Sequence, residues 1–344
     1  MKLPAGNIQA PGHRLAIQRL TALWAFTESG LGGMLHALQA PFTGLIVGGI
    51  SVMLIMLIAY FSQPGYRQIL KSVVVVLIVK AIVSPHTPFT AYIAVSFQAV
   101  VGYLVCRVAG IRLWGIFFTM LITMLESAVQ KLLIITLFFG KSFWIAADEL
   151  IKSITRQLGM GTSHGSYWLV SLYFGLHAVG AVFFTWLTYK TIHDIFSGHE
   201  YPLPERAVAK TDIPVARKKR FGKLWISFFI LLLIAVLLYI FAGNREEGWL
   251  NVLQAISWTL AAIMLWYLII NPLLTRLIRN FLHKKQSRYS EQVAETLALL
   301  PLTGKIASLA WQQSRQHKGW KRFRYFFSAL VQWTLTCPDE NIAG

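Results

Sequence analysis

The stretch TESGLGGMLHALQAPFTG, residues 27–44, lies between two apolar runs and sets Glu28, His36 and Gln39 among glycines and a proline. An ionisable group on a lipid-facing helix costs roughly 2.5 kcal/mol or more on insertion scales. The stretch is therefore either a loop in water or the lining of a site inside a membrane protein. Its two halves divide on this point. HALQAP reads as an external turn between a first and a second membrane span, and Glu28 lies inside the first span, well below that turn.

Composition supports a membrane setting. Of 344 residues, 56% are hydrophobic and only 13% charged, with a mean hydropathy of +0.56. That charged share is about half of what a soluble domain carries. The net charge of +18 does not point to nucleic acid, because Lys and Arg gather on the cytoplasmic loops of membrane proteins. Cys106 and Cys337 are far apart and match no metal or redox spacing. The start, MKLPAGNIQAPGHRLAIQRL, is too polar for a cleaved signal peptide, so the first membrane helix is expected to direct insertion.

The apolar runs predict an all-α integral membrane protein with about eight transmembrane helices. They cover residues 15–35, 42–61, 69–86, 89–107, 113–139, 167–190, 224–242 and 249–271. Between the fifth and sixth, the segment 141–166 reads as an amphipathic surface helix plus loop. Arg14, Arg19, Arg67, Lys71, Arg107, Arg112 and RKKRFGK (217–223) all fall on one side if both termini are cytoplasmic. Lys141, Lys152 and Arg156 are the exception, partly offset by Asp148 and Glu149.

This divides the chain into a six-span unit (1–196), a basic cytoplasmic linker (197–223), a two-span hairpin (224–272) and a cytoplasmic basic amphipathic region (273–344). In the last, apolar residues recur at helical spacing beside dense Lys and Arg. Such a helix lies on an anionic membrane face or docks a partner, with Trp311, Arg315, Trp320 and Arg322 as the docking candidates.

At ~1.5 Å per helical residue, Glu28, Lys80, Gln98, Glu126 and Gln130 share a level near the bilayer midplane. His36, Gln39 and His86 sit above them at the outer mouth. Glu126 and Gln130, at i and i+4, share a helix face. Two carboxylates against Lys80 make a charge-compensated cluster. It either locks helices together or lines a pocket for a small polar molecule, and intramembrane charge defaults to the second reading. The glycines of SGLGG and GLIVGG allow close backbone approach. HDIFSGHE (193–200) offers possible metal donors, but a solvated linker accounts for it more simply.

The stretches TALWAFTESGLGGMLHALQAPFTGLIVGGISV (21–52), VKAIVSPHTPFTAYIAVSFQAVVGYLV (79–105) and LESAVQKLLIITLFFG (125–140) together resemble the substrate-capture (S) components of energy-coupling factor transporters. The resemblance covers roughly residues 15–190 and rests on pattern. It implies a six-helix bundle that takes up a vitamin or similar small polar nutrient from the external side of the inner membrane. It also implies a transmembrane coupling subunit and cytoplasmic ATPases as partners. Small residues of the first helix, here Thr21, Ala22 and Ala25, would contact that subunit. The C-terminal part departs from an S component and faintly resembles the end of the coupling (T) subunit, although QSRQHKG (313–319) stands where an Ala-Arg-Gly signature would be.

The sequence has no Walker loop, HExxH, CxxC or GxSxG, and no cofactor is expected. The function expected is thus a transport subunit rather than an enzyme. The alternatives are a membrane-embedded enzyme acting on a lipid or lipid-linked substrate, and a scaffold subunit of a membrane complex.

Overall fold

The computed structural model describes residues 12–37, 42–62, 65–84, 87–157, 165–202 and 256–337. Among the described residues every regular element is a helix. Helix α1 (His13–Phe26) runs through a π-helical turn (Thr27–Leu31) into the short α2 (Gly32–Ala37). Then come α3 (Thr43–Phe61), α4 (Arg67–Val83), α5 (Phe89–Ala109), α6 (Leu113–Gln157) and α7 (Gly165–Phe196). The chain is described again from residue 256, passing through a second π-turn (Leu265–Ile270) into α8 (Asn271–Gln286), α9 (Ser290–Ser314) and α10 (Trp320–Thr336). Among the described residues five stretches are long and apolar enough to cross a membrane: α3, α5, α6, α7 and Ile256–Ser314. The span expected over 224–242 lies outside the described residues, as does the start of the one over 249–271.

The helices form two compact units that interleave along the chain. One holds residues 1–129, 172–210 and 273–344, and the other holds 130–171 and 211–272.

In the first unit α3 is central. TGLIVGGISVMLIMLIAYF is apolar on every side, so it can be covered on every side, and 78% of its apolar window is buried. α1, α4 and α5 pack around it. α7 reaches its backbone at Gly49, where a methyl group would stand 2.5 Å from the Phe184 ring. α9 and α10 pack on α1. There the buried Arg19 donates from Nη1 to the Leu335 carbonyl at 2.8 Å, and only a void of about 10 Å³ remains beside it. The basic C-terminal region is thus part of the same core as the first helix. By contrast, α5, α6 and α7 show apolar stripes outward, such as Val100, Leu104 and Val108 on α5 and Leu172, Val179 and Val182 on α7. Stripes of that kind need lipid or a partner to cover them.

The end of α7 joins the C-terminal helices to the unit. Asp194, 2% exposed, accepts from Arg324 Nε at 2.7 Å and Nη2 at 2.5 Å, and from Ser328 Oγ at 3.1 Å. Trp333 Nε1 donates to the Tyr201 carbonyl at 2.8 Å. The solvated linker expected at HDIFSGHE is, at Asp194, a buried anchor. Burial, with the Asp194 carboxylate as a second cause, pushes the Tyr201 phenol up, and the hydrogen bond to Asp194 raises Arg324 further.

In the second unit Gly140 (φ 59°, ψ −149°) breaks the helical geometry of α6. This conformation is essentially reserved for glycine, and it falls where the apolar run was expected to give way to an amphipathic segment. Beyond it, Asp148 accepts from the Ser166 N–H at 2.5 Å, satisfying a free donor at the start of α7. Phe138 packs edge-on against Trp266.

If α3 and α7 meet as described, Gly49→Ala overpacks the contact and destabilises by about 1–3 kcal/mol. Gly175→Ala, with open space around the new methyl, stabilises by about 0.5–1 kcal/mol. Thermal unfolding of both variants in detergent checks this, and equal melting temperatures would contradict the packing.

Candidate functional site

The site is built where α1, α3 and α4 meet. Thr27 and Ser29 send their hydroxyls back to the carbonyls of Leu23 and Ala25. Such bonds compete with the backbone ladder and bend helices, and the nearby glycines hold a helix weakly. The ladder accordingly slips to a π-turn, with Gly32 N–H bonding to the Thr27 carbonyl. π-turns of this kind are frequent at functional sites. Glu28 sits inside this one. Its Oε2 accepts from Lys80 Nζ at 2.6 Å, and its Oε1 from Ser51 Oγ at 2.6 Å. Both charged side chains are 5% exposed. Of the expected cluster of Glu28 and Glu126 against Lys80, the Glu28–Lys80 contact is present, and Ser51 rather than Glu126 is its third member.

The polar contacts continue along the α1–α4 seam. Two turns before Glu28, Thr21 Oγ1 donates to Ser72 Oγ at 2.8 Å. One residue past Glu28, the Ser29 carbonyl accepts from Ser84 Oγ at 3.2 Å. At the end marked by Thr21 and Ser72 the seam meets a cavity of about 480 Å³. Arg14, Gln18, Lys71 and Glu295 line it, with Ile17, Phe61 and Val75 as its apolar part. The same seam thus carries the buried ion pair and, about two turns away, borders the charged cavity.

Further polar groups converge on α3 from the opposite helices. Gln98 of α5 is 5% exposed, and its Oε1 has no hydrogen-bond partner. Its Nε2 lies 3.2 Å from where a Cβ on Gly48 would stand. Ser127 of α6 approaches Gly44 in the same way at 2.8 Å. The half-buried Glu126 has a buried Oε2 without a partner, and so does the Tyr92 hydroxyl. Buried polar atoms are almost always bonded, and three on α5 and α6, Gln98 Oε1, the Tyr92 hydroxyl and Glu126 Oε2, have no protein partner.

Glu28 and Lys80 are paired, while Gln98 and Glu126 lie in the same unit on other helices. Gln130 belongs to the second unit. His36 lies in α2, and Gln39 and His86 lie outside the described residues. Thr21, Ala22 and Ala25 are all buried within the first unit. His177 is buried and bonds the Tyr173 carbonyl at 2.9 Å, a contact within its own helix. Ser51, Ser72 and Tyr92 were not singled out from sequence. A hydroxyl costs little in an apolar run, so these residues gave no local signal. Among the described residues no three His, Cys, Asp or Glu side chains converge to hold a metal ion.

No protein family's model, no curated protein and no solved structure matches this chain.

Removing one member of the buried pair leaves the other charge uncompensated, a loss of about 3–5 kcal/mol. Glu28→Gln and Lys80→Met each lower stability by that order. The double variant Glu28→Leu/Lys80→Met is far less damaged than the sum, because neither charge remains. A double-mutant cycle by denaturant or thermal unfolding measures this, and simple additivity would refute the pairing.

Proposed function

We propose that the chain is an inner-membrane transport subunit. It captures a small polar solute from the external side and passes it inward with partner ATPases, with about eight spans and both termini cytoplasmic. The capture and the ATPase partners are what its resemblance to an S component implies, and the spans and termini follow from apolar run length and the placement of Lys and Arg. One observation carries the reading: the α1–α4 seam, in which the buried Glu28–Lys80 pair lies between Ser84 at one end and the charged cavity at the other. A seam needed only for packing gains nothing from charge, since apolar replacements of a buried pair are often neutral or stabilising. The unpartnered polar atoms of Gln98, Tyr92 and Glu126 offer donors and acceptors to an uncharged polar group.

The C-terminal helices fit the same plan. α9 and α10 lie against α1, the helix that in S components meets the coupling subunit. We take them as a coupling element carried in the same chain, which moves with α1 when the ATPases act.

A second reading, a membrane scaffold locked by its ion pair, is favoured by the full use of Glu28 by Lys80 and Ser51.

The charge-reversed variant Glu28→Lys/Lys80→Glu separates the two. The probe is a defined mixture of amino acids, nucleosides and water-soluble vitamins offered to the purified protein, with retained compounds identified by mass spectrometry. The transport reading expects the parent to retain a compound, and the reversed pair to recover stability relative to either single change without recovering retention. Recovery of both would remove the pair from the solute site, and no retention by the parent would favour the scaffold.

A further inference from the structure

The exposed apolar face of α7 is interrupted at a particular level. Leu172, Leu176, Val179 and Val182 are exposed, and no large apolar side chain beyond Val182 on this helix is. At that level four aromatic rings gather. Phe183 and Trp186 of α7 meet Trp320 of α10 at centroid distances of 5.1 and 6.0 Å, and Phe323 stands 6.1 Å from Phe183. Trp320 and Phe323 nevertheless stay 65% and 44% exposed. Trp and other aromatics at the end of an apolar belt mark the membrane–water boundary. The start of α10 thus meets α7 where its exposed apolar stripe ends.

The charge around these rings is one-sided. Residues 296–337 contain six Lys or Arg and no Asp or Glu. Arg324 is spent on Asp194. Arg322 is not: its guanidinium lies over the Trp311 ring at 4.4 Å, and its Nε is buried without a hydrogen-bond partner. Lys318 and Lys321 beside it are exposed. A stacked guanidinium flanked by exposed ammonium groups is matched by a phosphate.

We propose that residues 315–323, the turn joining α9 to α10 and the first turn of α10, are a headgroup site for an anionic phospholipid. Arg322 and Lys321 hold the phosphate, while Trp320 and Phe323 enter the acyl boundary. This assigns Trp320 and Arg322 to lipid, and it does not depend on the transport reading. An acidic protein would satisfy the charges equally well. It would not account for the rings sitting where the apolar face of α7 stops.

The test uses the full chain reconstituted in nanodiscs of phosphatidylcholine with a minor share of phosphatidylglycerol, then released into detergent for native mass spectrometry. The parent is expected to retain phosphatidylglycerol preferentially. Lys321→Gln/Arg322→Gln reduces that retention by about fivefold for each cation removed, at an unchanged melting temperature. Arg322→Lys keeps most of it. Lys284→Gln/Lys285→Gln, which removes two cations from α8, retains lipid as the parent does. Equal loss in the two double variants, or no loss in the first, overturns the proposal. So does tighter capture of a polyglutamate peptide than of phosphatidylglycerol vesicles, which would make the surface a protein-docking face.

Discussion

A carboxylate buried among apolar side chains must find a cation, and in this protein that requirement ties three helices together at one level. Glu28 comes from the π-turn after α1, Lys80 from the last turn of α4 and Ser51 from the middle of α3. Neither charge tolerates solitude in such surroundings, since the desolvation penalty of a lone ion there is several kcal/mol. The pair therefore fixes how α1 and α4 lie along α3. The π-turn is part of the same device. Its extra residue rotates α2 by about 100° relative to an uninterrupted helix, so the backbone itself is adjusted at Glu28.

The second organising contact brings the far end of the chain back to the first helix. Arg19 and Asp194 are both buried, and each is answered from α10, by the Leu335 carbonyl and by Arg324. The basic C-terminal helices thus have two faces. One packs on α1 and the end of α7, and the other carries Arg322, Lys321 and the exposed rings. A motion of α1 would be felt in α9 and α10 directly, because nothing but packed side chains separates them.

Much of the site was legible in the chain because ionisable groups in apolar runs are expensive and therefore few. Glu28, Lys80 and Glu126 stand out on that ground alone, and placing them near one depth sets both carboxylates against Lys80, of which Glu28 makes the contact. Ser51, Ser72 and Tyr92 were not legible, since a hydroxyl can satisfy itself within its own helix and so gives no warning. The cavity beside Arg14, Lys71 and Glu295 was hidden for another reason. It is assembled from α1, α4 and α9, and Glu295 is more than two hundred residues from the others. Composition likewise marked 273–344 as a basic region but carried no sign that it closes on α1. The contact depends on particular small and apolar residues meeting, such as Gly304 against Phe26.

The sequence by itself determined that this is a helical chain built for an apolar medium, roughly where the described helices up to α7 begin and end, and that an acid and a base are buried in their midst. Those features are local: apolar run length, glycine and proline breaks, and the cost of a charge are all read within a few turns. Only the tertiary structure decided that α3 is the helix covered on all sides, that Ser51 and not a second carboxylate completes the Glu28 pair, and that the C-terminal helices share a core with α1. These are outcomes of packing between segments far apart in the chain, where complementarity of shape and the pairing of buried polar groups choose among partners that composition alone leaves equal.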